Sequence, residues 1–446
     1  MENPKDKEEL SSIPTSKVQR AAQFMKTGVK VGSNYVKHYA KKVVNPSLSK
    51  DELNAANAED VYESLSQLKG SALKMAQMLS MYEDVLPQAY IDKFKMSQYS
   101  APALSLPLVV NTFKKQFNKS PFEMYDSFSK EAKHAASIGQ VHEAYLKGKR
   151  LAVKVQYPGV ADSITSDLRM VKPFAQQMVS LNEKEMDLYM NEVEEMMTAE
   201  TNYLLERERS ERISKACAHI PNLYFPSYYP ELSSERVLTM DWLEGQHAEA
   251  FLAEHEPSQE VRNKIGQAIW DFYDFQMHEL LEVHADPHPG NFLMKPDGTV
   301  GVIDFGCVKV IPPDYYKAHF SVINNRVFTD KVYLQKVFRD MEFLKPDDTA
   351  EEIEFFTNFF TEMLDVSTRP FRSQTFDFGD QVYFKELYEF GERLAKLPEL
   401  RSSKQARGSR HALYLNRSYF GLYYLLNLLN ANVITGNSIW FQKQEK

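Results

Sequence analysis

His284-Ala285-Asp286-Pro287-His288-Pro289-Gly290-Asn291, followed by Asp304-Phe305-Gly306, is the stretch on which the reading of this chain turns. Asp286 and Asn291 stand in the D-x-x-x-x-N spacing of a phosphoryl-transfer loop, and an aspartate ahead of Phe-Gly on the next strand completes the metal site of such a loop. Asn291 and Asp304 offer hard oxygen ligands suited to Mg²⁺, with Mn²⁺ as the alternative, bridging the phosphates of ATP. Asp286 can orient or deprotonate an attacking hydroxyl or water. Between them Lys295-Pro296-Asp297-Gly298-Thr299 supplies a turn joining two short apolar strands. A lone Asp-Phe-Gly is as often a structural turn; the joint spacing points to a nucleotide–metal site.

Working upstream, Lys154 in Leu151-Ala152-Val153-Lys154-Val155 alternates with apolar neighbours on an expected strand, where such a lysine reaches α- and β-phosphates. Its ammonium needs a carboxylate, and Glu206 in the helical run from Glu200 is the choice; Glu192, Glu194 and Glu195 are expected to face solvent. Where a Gly-rich phosphate flap would stand, the chain has Ala135-Ala136-Ser137-Ile138-Gly139-Gln140-Val141-His142. With one glycine left, the backbone has fewer positions that approach phosphate closely. Val237 to Gly245 reads as a strand entering a hinge, with adenine meeting backbone near Asp241 and Leu243. A plain core strand ending at Gly245 fits those residues equally well.

The 446 residues exceed one ordinary core, and 43% hydrophobic with 26% charged residues is a globular composition. A net charge of -8 argues against nucleic acid as a partner. Two cysteines, Cys217 and Cys307, are too few for a disulfide framework and fit a reducing compartment. The charged start, MENPKDKEELSS, lacks a signal peptide's apolar core, so a cytoplasmic location is expected. The run from Tyr419 through Ile434 is shorter than the roughly 20 residues of a bilayer span and carries Asn427, Asn430 and Asn432, so it reads as a packed helix.

From Leu10 to Lys50 there is no acidic residue, while Lys17, Arg20, Lys26, Lys30, Lys37, Lys41 and Lys42 recur among apolar residues. This basic amphipathic segment either lies on anionic lipid or packs on the body with a solvated face. The expected division is a basic extension over 1–50, a helical segment over 51–110, a first lobe with a helical insertion (roughly Ser163 to Cys217) over 111–245, and a helical second lobe over 246–446.

Together these residues resemble the UbiB or AarF-type family of atypical kinases, associated with isoprenoid-quinone metabolism. The resemblance rests on the alanine-rich loop, the HxDPHPGN-type loop and Asp-Phe-Gly, and it implies an α+β, bilobal protein-kinase-like fold. It further implies that Leu73-Lys74-Met75-Ala76-Gln77 is the family's K-x-G-Q helix, with Ala76 in place of glycine, packed over the active site. Lys74 and Gln77 then gate the site, with Glu200 as a partner for Lys74. The family's E-x-D pair reads here Glu200-Thr201-Asn202, an amide replacing the second acid. No A-P-E signature follows Gly306, which agrees with poor phosphorylation of proteins.

The resulting expectation is an ATPase or a kinase of a lipid- or quinone-precursor-like small molecule, peripheral to the inner face of an anionic membrane and associated with quinone-biosynthesis proteins. Two rivals stay open: a protein kinase acting in trans, and a nucleotide-sensing scaffold of a membrane-bound biosynthetic complex.

Overall fold

The alternation around Lys154 builds an antiparallel sheet. In the computed structural model, which describes residues 17–44, 51–68, 89, 93, 104–135, 138–178, 183–397, 407–409 and 411–444, β3 (Gly139–Leu146) and β4 (Lys149–Gln156) form a hairpin. Its turn residues Lys147 and Gly148 both take positive φ, 51° and 76°, matching the right-handed twist of the flanking strands. β1 (Ser127–Phe128) and β2 (His134–Ala135) pair with β3, and β6 (Val237–Asp241) pairs with β4, so that Val141, Lys154 and Leu238 lie in register. Val109, Phe113, Phe128, Val153 and Val155 pack into one core beneath this sheet.

The chain divides into two units. The first comprises the described residues up to 207 and 227–242; the second comprises 208–226 and the residues described from Leu243 onward. The helical run expected after Ser163 is three helices: α4 (Val160–Met178) and α5 (Glu183–Glu200) in the first unit, and α6 (Tyr203–Cys217), of which the first unit holds residues 203–207. Asn202 makes the break before α6 by accepting from the amides of Leu204 (3.1 Å) and Leu205 (3.2 Å), an N-cap in place of helix continuation. Glu192, expected to face solvent, is buried at 6% exposure, because α5 turns that side of the helix inward with Met196 and Val193.

The basic segment forms α1 (Lys17–Val44), which packs against α2 (Asp51–Leu68) and α4. Arg20 donates to the carboxylate of Asp167 and to the Leu68 carbonyl (2.9 Å), fully buried, while Lys30 pairs with Asp60 (3.1 Å) and Glu63 (3.2 Å). The opposite side exposes Met25, Val29 and Val36 together with Lys26 and Lys37. One face thus packs and the other is bare.

The second unit is mainly helical around Ile265, Trp270, Phe272, Phe305, Phe338 and Leu426. Within it β8 (Phe292–Met294) and β9 (Val300–Val302) form the hairpin around Lys295–Thr299, and β7 (Glu282–His284) pairs with β10 (Val308–Val310). The run from Tyr419 is helical only as the end of α7 (Ala412–Leu428). Asn430 takes a left-handed φ of 47°, and Asn432–Ile434 leaves as a strand paired with Thr375–Asp377, so the expected single helix is corrected there. Among the described residues no helix is long and apolar enough to cross a membrane.

Candidate active site

In the second unit the loop between β7 and β8 carries Asp286 and Asn291, and the turn after β9 carries Asp304. Asn291 Nδ2 donates to the Asp286 carbonyl (2.8 Å), which commits the amide nitrogen and gives the amide oxygen as the atom to meet a cation. Its backbone carbonyl accepts from Ile303 (3.0 Å), tying the loop to the segment ahead of Asp304. Asp304 has φ 63°, a left-handed conformation that a non-glycine residue keeps only when its surroundings impose it.

Those surroundings are explicit. The fully buried His284 ring donates from Nε2 to the Asp304 carbonyl (2.7 Å) and meets the Tyr273 hydroxyl at Nδ1 (3.3 Å). Burial pushes His284 below the ordinary histidine range, so the ring is neutral and this tautomer is the one both contacts accommodate. The Gly306 amide donates to Asp304 Oδ1 (3.1 Å), turning the carboxylate.

Helix α7 closes on the same loop. Arg417 ion-pairs with Asp286, Tyr414 lies under the Lys309 ammonium at 4.9 Å, and Gly421 makes room for Pro287. A Cβ at 421 would stand 2.1 Å from Pro287 Cγ. Residues 414, 417 and 421 share one side of the helix. Sequence reasoning missed all three, and the only local signal is an arginine and a glycine within an otherwise aromatic and aliphatic helix.

In the first unit Lys154 Nζ reaches both oxygens of Glu206, at 3.0 and 3.1 Å, with both side chains buried. Glu206 is therefore the carboxylate that the fold brings to Lys154. Tyr203, also missed, sits beneath the same ammonium, its ring centroid 5.0 Å from Nζ. Gly139 begins β3, and Ala135 ends β2, paired with Gln140. Glu200 ends α5 and is buried. Asp241 ends β6, and its carboxylate accepts from the Tyr229 hydroxyl (2.7 Å) and the Ser227 amide (3.1 Å). Burial works against ionisation there, but those hydrogen bonds hold Asp241 below the usual carboxylate range. Leu243 is the first residue of the second unit after β6. Ala136, Ser137, Lys74 and Gln77 lie outside the described residues.

The donor set suits Mg²⁺ held jointly with phosphate: one carboxylate, Asp304, and one amide oxygen, Asn291. Among the described residues no cluster of three or more His, Cys, Asp or Glu side chains would hold a metal by itself.

A lysine on an antiparallel sheet paired with a helix glutamate, and in a helical unit a D-x-x-x-x-N loop followed by a strained Asp-Phe-Gly, define a protein-kinase-like protein. The ABC1 atypical kinase-like domain matches residues 96–338, more than half of the chain, and the chain belongs to that family. Among curated relatives, it is 26% identical to the probable serine/threonine-protein kinase abkA of Dictyostelium discoideum, over 94% of this chain and 78% of that one. It is 27% identical to the mitochondrial atypical kinase COQ8B of Danio rerio, over 83% of this chain and 60% of that one. The chain thus spans well under the full length of these relatives. Rv3197 of Mycobacterium tuberculosis, solved with erythromycin, aligns over 88% of this chain and 98% of its own with a TM-score of 0.57; at 24% identity this likeness shows the fold alone.

Proposed function

We propose that this chain binds Mg-ATP and hydrolyses it, or passes its terminal phosphate to a small lipid-like acceptor, in support of isoprenoid-quinone biosynthesis or lipid homeostasis at a membrane surface. The observation that carries this reading is Asp304, held in left-handed backbone by the neutral His284 while Gly306 turns its carboxylate. Strain of this kind persists where a site depends on it.

In this reading Asn291 and Asp304 ligate Mg²⁺, which when bound screens the phosphate charge. Asp286, oriented by Arg417, holds the attacking hydroxyl or water. Lys154, fixed by Glu206, takes the α- and β-phosphates. The flap residues Ala135, Ala136, Ser137 and Gly139 cover them, and adenine meets backbone near Asp241 and Leu243. Lys74, Gln77 and Glu200 gate the site. The bare face of α1, with Met25, Val29 and Val36 beside Lys26 and Lys37, supports peripheral binding to an anionic surface.

The test is phosphate release from Mg-ATP by wild type and Asp304→Asn, with and without anionic vesicles and a phenolic quinone-precursor mimic. Release that requires Asp304 and rises with vesicles or phenol supports the reading. Equal inactivity of both proteins with nucleotide binding retained would replace it with a nucleotide-sensing scaffold.

A further inference from the structure

Glu206 and Tyr203 of α6 both meet Lys154. Tyr203 stands one turn earlier on the same side of the helix, with no solvent exposure, and the Lys154 ammonium lies 5.0 Å from its ring centroid, inside cation–π range. The placement is fixed from three directions. Asn202 caps the helix immediately before it, the Tyr203 amide donates to the Glu235 carbonyl (3.3 Å), and its hydroxyl lies against β3.

That last contact explains the flap's only glycine. A Cβ at Gly139 would stand 2.8 Å from Tyr203 Oη and 2.5 Å from the Val155 carbonyl oxygen, so a larger residue has no room there. One tyrosine therefore touches the lysine's seat and the first residue of the flap strand.

The two partners of Lys154 act differently. A carboxylate neutralises an ammonium as it fixes it, which weakens the pull on a phosphate. An aromatic face attracts the ammonium through its quadrupole and adds no net negative charge. We propose that Tyr203 is a positioning residue that keeps Lys154 charged and aimed without cancelling its charge. The inference rests on reading Lys154 as the phosphate ligand.

The test uses the full chain with Tyr203→Phe and with phenylalanines of increasing fluorine content installed at 203, which drain the ring quadrupole at nearly constant shape. The Lys154 amine is titrated by NMR of ¹³Cε-lysine-labelled protein, assigned with Lys154→Arg, alongside Mg-ATP affinity and melting temperature. Tyr203→Phe should titrate close to wild type. The fully fluorinated ring should lower the amine's midpoint by about one pH unit and weaken Mg-ATP binding several-fold, at little change in melting temperature. A midpoint unchanged across the series overturns the inference, whatever the nucleotide affinities. A wild type that binds no nucleotide overturns the proposed function instead, and the titration still decides Tyr203.

Discussion

Arg417 and Asp286 form a half-buried ion pair that joins a helix outside the family-matched residues to the loop carrying the proposed catalytic carboxylate. Arg417 donates from Nη2 to Asp286 Oδ1 and so sets the direction of the carboxylate. Removing a charge-assisted hydrogen bond of this kind costs about 1.5–3 kcal/mol, or roughly 10- to 100-fold in rate when the bond orders the reacting group. Arg417→Ala is therefore expected to lower phosphate release by that factor with nucleotide affinity nearly unchanged. Arg417→Lys should recover only part, because an ammonium lacks the planar fork. A wild-type rate in Arg417→Ala would show that the pair is a surface contact.

The buried pair of Lys154 and Glu206 makes a double-mutant cycle informative. Lys154→Met or Glu206→Gln alone leaves one buried charge without its partner, at a cost of about 3–5 kcal/mol, whereas replacing both removes the charge from the interior. The double variant should be more stable to urea than either single variant while failing to bind Mg-ATP. Additive losses in the double variant would mean that the pair is solvated.

Sequence reached the residues whose chemistry is local in the chain. The spacing of Asp286, Asn291 and Asp304 lies within one loop and one hairpin, and the alternation around Lys154 marks its strand. What it did not reach is long-range. Arg417 and Asp286 are 131 residues apart, and nothing in a helix such as Ala412–Leu428 announces which of its sides will meet a distant loop. Tyr203 reads as one more core aromatic until the fold sets it under Lys154. Glu192 was misplaced for a related reason: a run dense in Glu and Met does not say which carboxylate turns inward. The end of the run from Tyr419 was misread because Asn430 breaks the helix by backbone conformation, a choice that apolar composition hides.

Asn202 caps α6. Asn202→Ala should cost about 1 kcal/mol, seen as a lowered melting temperature, because the Leu204 and Leu205 amides lose their acceptor. Asn202→Asp keeps the acceptor and places a negative charge at the helix N-terminus, so it should match or exceed wild type. Equal stability of Asn202→Ala and wild type would discard the cap.

Acid stability draws on several buried groups of the second unit, among them two histidines and one aspartate. Burial lowers His278 to about 3 and His319 to about 4, so below the unfolded value of about 6.5 the unfolded chain takes protons that the native chain does not. Burial also raises Asp274 to about 6, so the native chain binds one proton there between pH 6 and about 4, in the opposite sense. The two histidines outnumber the one aspartate, so these groups should make stability fall as pH drops from 6 toward 4. His319→Phe should flatten that slope in urea unfolding, and an unchanged slope would place the titration elsewhere.

Gly421→Ala distinguishes a docked helix from a free one by the sign of its effect. In an unpacked helix interior the change from glycine to alanine stabilises by about 1 kcal/mol, since glycine loses more backbone freedom on folding. Here the new Cβ would stand 2.1 Å from Pro287 Cγ and 2.8 Å from Pro287 Cβ. Neither side yields cheaply: the proline ring fixes its own φ, and Gly421 lies within Ala412–Leu428 between the Arg417 pair and the core residues Leu422 and Leu426. Overpacking of this kind costs about 1–3 kcal/mol. Relief by displacement moves Asp286, the residue before the proline, away from Arg417. Gly421→Ala should therefore lower both the melting temperature and the rate of phosphate release, whereas a stabilised protein with wild-type turnover would show that this helix does not press on the loop.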